Sequence, residues 1–265
     1  MNSNRNLLIY LAILHDGDYD KVLDDVTNHK YPSIEEADEA VSKLKCNTLT
    51  MLDEEYPSYL KKMNRAPFVL FYYGDISLID EEHLKANLGV VGTRKATYYG
   101  LTNTYRLVRE VSKKCNIVSG LALGIDARAH RSAINARTKT IAVLGSGIDN
   151  PWPDLNVELY QDIIASGGLV VSEYPNMSEP NTAHFPVRNR LIVMFSSALL
   201  VTEAYDYKTG TSITVRFAHL YNKPVMTIPY SLRYHNSFCN HLIREGERLI
   251  RNGNDILLEM GLNEK

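Results

Sequence analysis

Residues 116–147, NIVSGLALGIDARAHRSAINARTKTIAVLGSG, define the fold class. Two short apolar runs, NIVSG and TIAVLG, are separated here by a segment long enough for one helix. Buried strands that alternate with helices in this way are typical of a parallel sheet covered on both faces. This stretch therefore predicts a strand, a helix and a second strand parallel to the first.

The same alternation continues on both sides of this unit. Further strands are predicted at five apolar runs, FVLFYYG, LGVVG, LVVSEY, ALLVTEA and PVMTIP. The last segment, from FCNHLIREGERL onward, predicts a helix, a short strand and a helix. Because crossovers between parallel strands are right-handed, we predict an α/β protein with a Rossmann-like, doubly wound and mostly parallel sheet.

The first part of the chain has a more polar pattern. Apolar residues recur at spacings of three and four in NLLIYLAILHDG, DYDKVLDDVTNH and SIEEADEAVSKL, and this spacing is typical of amphipathic helices. We therefore predict a small helical N-terminal subdomain over residues 1–60 and a Rossmann-like domain over residues 61–265.

The composition restricts the function and the compartment. A net charge of −2 over 265 residues gives no overall basic footprint, so nucleic-acid binding would have to rest on local clusters. Cys46, Cys115 and Cys239 form no C-x-x-C pair, which fits a reducing cytosol and predicts no zinc site. The N-terminal apolar run is too short for a membrane span or a signal peptide. We expect a cytoplasmic protein without membrane contact.

Ligands of such sheets bind outside the carboxyl ends of the strands, and the first candidate turn, GTRK, follows the run LGVV. Its glycine lets an anion approach the backbone, and the next helix offers free N–H groups. Arg94 could clamp a phosphate with two hydrogen bonds, while Lys95 would act as a point charge. Taken alone, however, GTRK favours the alternative of a solvated turn with two surface cations. The candidate residues are Gly92, Thr93, Arg94 and Lys95.

A second candidate lies in AHFPVRNRLIVMF, residues 183–195, where Pro186 suits the first turn of a predicted helix. Two arginines at the positive end of a helix are mildly unfavourable, which suggests that an anion binds there. Guanidinium groups beside an aromatic ring bind single-stranded nucleic acid without demanding a sequence. The alternative is that an arginine pairs with an acid such as Glu173 or Glu203. The candidate residues are His184, Phe185, Arg188, Asn189 and Arg190.

Three other turns carry weaker signals. In SGLALGIDARAH we expect Asp126 to be a capping or orienting acid, with His130 as its hydrogen-bond partner, and we predict no metal site. LGSG lacks the third glycine of a dinucleotide fingerprint. We expect Trp152 to pack over the loop that follows it, and a stacking role for Trp152 is the less favoured alternative. KTGTS, residues 208–212, favours equally an anion-binding nest and simple capping by Thr209 or Thr211.

Chemical machinery is not evident in the sequence. It has no P-loop, no Ser-His-Asp elbow and no carboxylate pair at a catalytic spacing. Glu203, at the end of a predicted strand, is the only acid that we consider for catalysis.

Together, these segments resemble one family, the bacterial DNA-processing protein A family (DprA, also called Smf). The resemblance covers roughly residues 50–258, and SGLALGIDARAH followed by HFPVRNRLI is its most specific part. Members often continue into a winged-helix domain, and none is predicted after NDILLEM. By position, Gly92–Lys95 match the family's first phosphate-binding turn, Ser119 and Gly120 match the second, and Phe185 with residues 188–190 match its strand-gripping loop.

The resemblance implies a recombination mediator of natural transformation, with no enzyme activity and no cofactor. Such a protein would bind and protect incoming single-stranded DNA, load the RecA recombinase and form a homodimer. The alternative is a nucleotide-binding or nucleoside-monophosphate-cleaving Rossmann protein of the "lonely guy" type. Those proteins carry P-G-G-x-G-T-x-x-E, whereas EAYDYKTGTSIT lacks both the Pro-Gly-Gly and the later glutamate.

Overall fold

Short apolar runs form the strands of one mixed sheet in the computed structural model, which describes residues 3–205, 209–231 and 237–263. Strand β5 shows the pattern, because its four residues are all buried and their side chains point alternately to the two faces. The strands are β1 (Asn47–Thr50), β2 (Val69–Gly74), β3 (Asn87–Gly92), β4 (Asn116–Ser119), β5 (Thr140–Val143), β6 (Leu169–Ser172), β7 (Ala198–Glu203), β8 (Val225–Thr227) and β9 (Arg248–Leu249).

Helices connect these strands, and several begin at a side-chain cap. Thr97 and Thr209, for example, accept backbone N–H groups at the starts of α6 and α10. Two short 3₁₀ helices cover Ile76–Ile79 and Asp154–Asn156. The α-helices are α1 (Ser3–Leu14), α2 (Tyr19–Thr27), α3 (Ile34–Ser42), α4 (Ser58–Lys61), α5 (Glu81–Leu84), α6 (Tyr98–Val111), α7 (Ile125–Asn135), α8 (Val157–Ala165), α9 (His184–Met194), α10 (Gly210–Leu220), α11 (Phe238–Arg244) and α12 (Gly253–Glu259).

The strand order in the sheet is β1-β2-β6-β5-β4-β3-β7-β8-β9. All strands from β6 to β9 in that order are parallel, whereas β1 and β2 are antiparallel additions at one edge. The chain passes from β3 outward to β6 and then returns to β7 on the other side of β3. The direction of winding therefore reverses between β3 and β7, where a doubly wound sheet opens its ligand crevice.

Both faces of the sheet are covered. On one face, Val143 and Val201 pack with residues of α9, α10 and α11. On the other face, Val90 and Leu200 pack with α6, α7 and α12, while Ala142 and Val170 pack with α1 and α8. This arrangement confirms the predicted α/β, Rossmann-like, doubly wound and mostly parallel sheet.

The seven predicted strands are all present, as is the final order of helix, strand and helix. Strand β1, whose residues Asn47–Thr50 pair antiparallel with β2, was not predicted. Helices α1–α3 form the N-terminal helical part, and α1 contributes Leu8 and Ile9 to the same core cluster as Phe71 of β2. The division of the chain at residue 60 stays a prediction.

Among the described residues, no helix is both long and apolar enough to cross a bilayer.

Candidate nucleic-acid interface

A cavity of about 630 Å³ lies where the winding reverses. The ends of β3 and β7 and the beginnings of α9 and α10 surround it, so three of the predicted turns meet at one place. Its lining includes Gly92, Thr93, Arg94, Lys95, Asp126, Trp152, Phe185, Arg188, Asn189, Thr209, Gly210 and Thr211.

The turn after β3 presents its cations to this cavity. Arg94 and Lys95 are both exposed, and the backbone N–H of Thr93 donates to the carbonyl oxygen of Glu203 at 2.7 Å. Glycine is required at position 92, because a Cβ there would lie 2.6 Å from Ile125 Cγ1 and 2.7 Å from Glu203 O. The turn is therefore fixed against β7 while its two charges stay accessible to a ligand.

Arg94 lies against two aromatic rings. Its guanidinium carbon is 5.4 Å from the ring centres of both Trp152 and Phe185, within the range of a cation–π contact. The two rings are 5.0 Å apart and tilted by 41°. A glycine at position 145 admits Phe185, since a Cβ there would lie 2.6 Å from its Cδ1. Trp152, which was expected to pack over its loop, lines the cavity as well.

Arg188 forms the floor of the cavity and is only 4% exposed. Its Nη1 donates to the carbonyl oxygen of Gly120 at 2.8 Å and to that of Val143. Burial lowers the pKa of the guanidinium to about 10. Asn189 Nδ2 donates to Gly210 O at 3.1 Å and so joins α9 to α10. The start of α9 is therefore bound to the ends of β4 and β5.

Arg190 and His184 are not among the residues that line the cavity. Arg190 is 4% exposed, and its Nη2 pairs with Glu173 Oε1 at 2.6 Å, so the ion-pair alternative holds for this arginine. Its Nε and Nη1 are buried without a hydrogen-bond partner. The His184 ring stacks on Tyr174, with centroids 3.9 Å apart, and burial lowers its pKa.

Ser119 and Gly120 lie beneath Arg188. Ser119 is fully buried, and its hydroxyl donates to Val90 O at 2.7 Å. The Gly120 N–H donates to Asp126 Oδ2 at 3.2 Å, and a Cβ at position 120 would lie 2.7 Å from Arg188 Nη2. This pair supports the floor of the site, and a DNA-binding role for it stays a prediction.

The prediction of a hydrogen bond between Asp126 and His130 is wrong. His130 Nδ1 lies 2.7 Å from Thr140 Oγ1 on β5, whereas Asp126 accepts from Gly120 and faces the charge of Arg188. Burial raises the pKa of Asp126, and the nearby guanidinium opposes that rise. One helical turn separates the two side chains in sequence, but Asp126 bonds to Gly120, which follows β4, and His130 bonds to Thr140 of β5.

Glu203 is fully buried and lies outside the cavity lining. Its carboxylate accepts hydrogen bonds from the Thr97 N–H at 2.9 Å, from the Tyr230 hydroxyl at 2.8 Å and from the Tyr205 hydroxyl. It therefore connects the start of α6 to the segments after β7 and β8.

The segment KTGTS begins α10. Thr209 caps this helix in a reciprocal pair with Ser212, as the capping interpretation predicted, and Thr211 lines the cavity. Lys208 lies outside the described residues.

The fold and this site define a class of protein, a Rossmann-like α/β protein whose switch-point crevice carries exposed cations beside aromatic rings. The family described as DNA recombination-mediator protein A matches residues 47–261 of the chain. The chain belongs to this family, which is the DprA/Smf family that the sequence resembles.

Curated relatives agree with this assignment. Protein Smf of Synechocystis is 39% identical over 215 residues, which make up 80% of this chain and 54% of that protein. DNA processing protein DprA of Streptococcus pneumoniae is 36% identical over 231 residues, covering 87% of this chain and 80% of that protein. The chain thus spans about half the length of the first relative and four-fifths of the second.

Solved structures show the same fold. The X-ray structure of DprA from Streptococcus pneumoniae superposes with a TM-score of 0.78 at 33% identity, covering 96% of this chain and 93% of that one. DNA processing protein A of Helicobacter pylori, whose structure is described as giving insight into its single-stranded DNA binding mode, superposes with a TM-score of 0.71 at 30% identity. That match covers 82% of this chain and 96% of the other.

Proposed function

We propose that this chain binds single-stranded DNA in the switch-point crevice and acts as a recombination mediator. The observation that carries the proposal is the position of Arg94, exposed at the cavity and 5.4 Å from the centres of two aromatic rings. A cation and an aromatic face suit a phosphate and a base, and neither depends on the sequence of the strand.

Two further observations support this proposal. The uncapped start of α9 lies at the crevice, and the N–H groups of a helix start favour an anion. The Helicobacter pylori relative, which shares the fold, is described as having a single-stranded DNA binding mode. In this proposal Arg94, Lys95 and Phe185 contact the strand, while Arg188 and Asn189 shape the crevice from below.

The proposal extends to the cellular role implied by the family. The protein would act in the cytoplasm as a homodimer, protect incoming single strands during natural transformation and load RecA onto them. Pull-down of RecA by the DNA-bound protein, compared with the DNA-free protein, tests the partner. RecA that is retained only with DNA is explained by both proteins binding the same strand. Retention of RecA by the DNA-free protein would show a direct contact.

No catalytic step belongs to this proposal. Glu203, the acid considered for catalysis, has its carboxylate engaged by three hydrogen bonds. The protein is therefore expected to leave ribonucleoside monophosphates intact. Release of free base from any of the four on incubation with the purified protein would contradict this part and favour the alternative enzyme.

The chain offers its own probe for DNA binding. Trp152 is its only tryptophan and lines the cavity, so titration with oligo-dT is expected to change its fluorescence. Phe185→Ala removes one stacking face and should weaken binding by about 1–3 kcal/mol, whereas Phe185→Tyr should bind nearly as well as the wild type. Equal affinities for the Ala and Tyr variants would remove Phe185 from the interface.

A further inference from the structure

We propose that the turn between α1 and α2, residues 15–18, is a positioning element of the crevice. It holds in place the loop that carries Trp152 and the loop that leads into α9, where Phe185 lies. The rings of these two residues flank Arg94. The inference rests on the proposed function, since it assigns to the N-terminal helical part a role in shaping the DNA site. Gly17 and Asp16 are its positioning residues.

The two loops are joined to each other along their length. They comprise residues 144–152, which follow β5, and residues 173–183, which follow β6. Their backbones approach closely at position 147, where a Cβ would lie 2.2 Å from Asn176 O. Backbone hydrogen bonds connect them from Gly147 N to Ser178 O (2.9 Å), from Ile148 N to Tyr174 O (3.1 Å) and from Asp149 N to Asn176 O (2.9 Å). A displacement of either loop therefore moves the other.

The α1–α2 turn presses on the second of these loops. The Ser178 hydroxyl donates to the Asp16 carboxylate. Gly17 has a φ of +74°, and a Cβ on it would lie 2.6 Å from Glu173 O and 2.9 Å from Tyr174 Cδ1. Only glycine fits both the left-handed backbone and the contact with the loop at this position.

The contact continues from this loop to α9. The Tyr174 ring stacks on His184, the first residue of α9, at 3.9 Å. Glu173 pairs with Arg190 of the same helix at 2.6 Å. Phe185 follows His184 directly, so the turn, the loop and the aromatic ring of the crevice form one continuous set of contacts.

Alanine at Gly17 provides the test, with Gly261→Ala as a matched control. Gly261 has a nearly equal φ of +70°, but nothing lies within 4 Å of a Cβ built on it. Both variants place alanine at a positive φ, where an L-residue is strained. Only Gly17→Ala forces the turn away from Glu173 and Tyr174. Two readouts apply to each variant, the emission of Trp152 without DNA and the affinity for oligo-dT.

We expect Gly17→Ala to shift the Trp152 emission and to weaken oligo-dT binding by about fivefold or more, because a displaced ring loses its stacking. Gly261→Ala should change neither. A folded Gly17→Ala protein with wild-type emission and wild-type affinity would overturn the inference. If Gly17→Ala fails to fold, Ser178→Ala, which removes the donor to Asp16, is judged by the same two readouts.

The two proposals fail in different ways. If the wild-type protein does not bind oligo-dT, the proposed function is wrong, and the DNA-free emission of Trp152 still decides whether the turn positions the crevice. If the wild type binds and Gly17→Ala behaves like Gly261→Ala in both readouts, the proposed function stands and the positioning role is lost.

Discussion

Arg188 donates a hydrogen bond from Nη1 to the carbonyl oxygen of Gly120 at 2.8 Å, which joins the start of α9 to the end of β4. A cation near the positive end of a helix is mildly unfavourable. Here that electrostatic cost is offset, because the guanidinium donates to carbonyl oxygens at the carboxyl ends of β4 and β5 and faces the buried Asp126. Arg188 therefore stabilises the floor of the crevice.

Loss of this guanidinium should destabilise the protein strongly. Arg188→Ala leaves the carbonyl oxygens of Gly120 and Val143 without their donor, and each buried acceptor left unsatisfied costs about 1–3 kcal/mol. Urea unfolding of the variant measures the loss. Arg109→Ala is the control, because Arg109 is exposed in the last turn of α6, far from the carboxyl ends of the strands. This substitution should change the free energy of unfolding by less than about 0.5 kcal/mol. Equal midpoints for the two variants would refute the structural role of Arg188.

A methyl group at position 120 should disturb the same network from below. The Cβ of Gly120→Ala would lie 2.7 Å from Arg188 Nη2 and 2.9 Å from Asp126 Oδ2, so we expect a loss of about 1–3 kcal/mol from overpacking. Gly210→Ala, whose Cβ would meet only Asn189 Nδ2 at 4.0 Å, is the matched control and should be neutral or slightly stabilising. Thermal unfolding distinguishes them, and a Gly120→Ala protein as stable as the control would contradict the geometry.

His130 makes the free energy of unfolding depend on pH. Thr140 Oγ1 donates to Ile117 O at 2.9 Å, so His130 Nδ1 must carry the hydrogen that it shares with Thr140, and Nε2 is buried without a partner. Burial lowers the pKa of this imidazole to about 3. As the pH falls below about 6.5, the unfolded chain gains a proton that the folded protein does not accept.

Stability should therefore decrease as the pH falls from about 6.5 toward 3, by up to about 1.4 kcal/mol per pH unit from this group. Urea unfolding at several pH values measures the slope. His130→Gln should remove this contribution and flatten the profile, whereas substitution of the exposed His29 should not. An unchanged slope in His130→Gln would show that other groups cause the acid sensitivity.

The sequence predicted the fold well because its signal is local. Continuous apolar runs separated by helix-length segments specify buried parallel strands, and each such run became a strand. Strand β1 was not predicted, because its sequence, Asn-Thr-Leu-Thr, is mostly polar and it joins the sheet as an edge strand by pairing with β2. Hydrogen bonding to β2, which lies later in the chain, makes this segment a strand.

The location of the site was predictable for a similar reason. Turns after parallel strands meet at one edge of the sheet, so GTRK and HFPVRNR had to converge. The bonding partners of the two arginines of α9 were not predictable, because they lie in other elements. Arg188 donates to the carbonyl oxygens of Gly120 and Val143, and Arg190 pairs with Glu173. The approach of Trp152 to Arg94 likewise depends on tertiary contacts.

The decisive measurement is the salt dependence of oligo-dT binding by the wild type, Arg94→Ala and Arg109→Ala. Each phosphate neutralised on a single strand contributes about 0.7 to the slope of log affinity against log salt. We predict that Arg94→Ala binds more weakly and with a slope smaller by about 0.7, while Arg109→Ala matches the wild type. An affinity that does not respond to salt, or an Arg94→Ala slope equal to the wild-type slope, would contradict a single-stranded DNA site in this crevice.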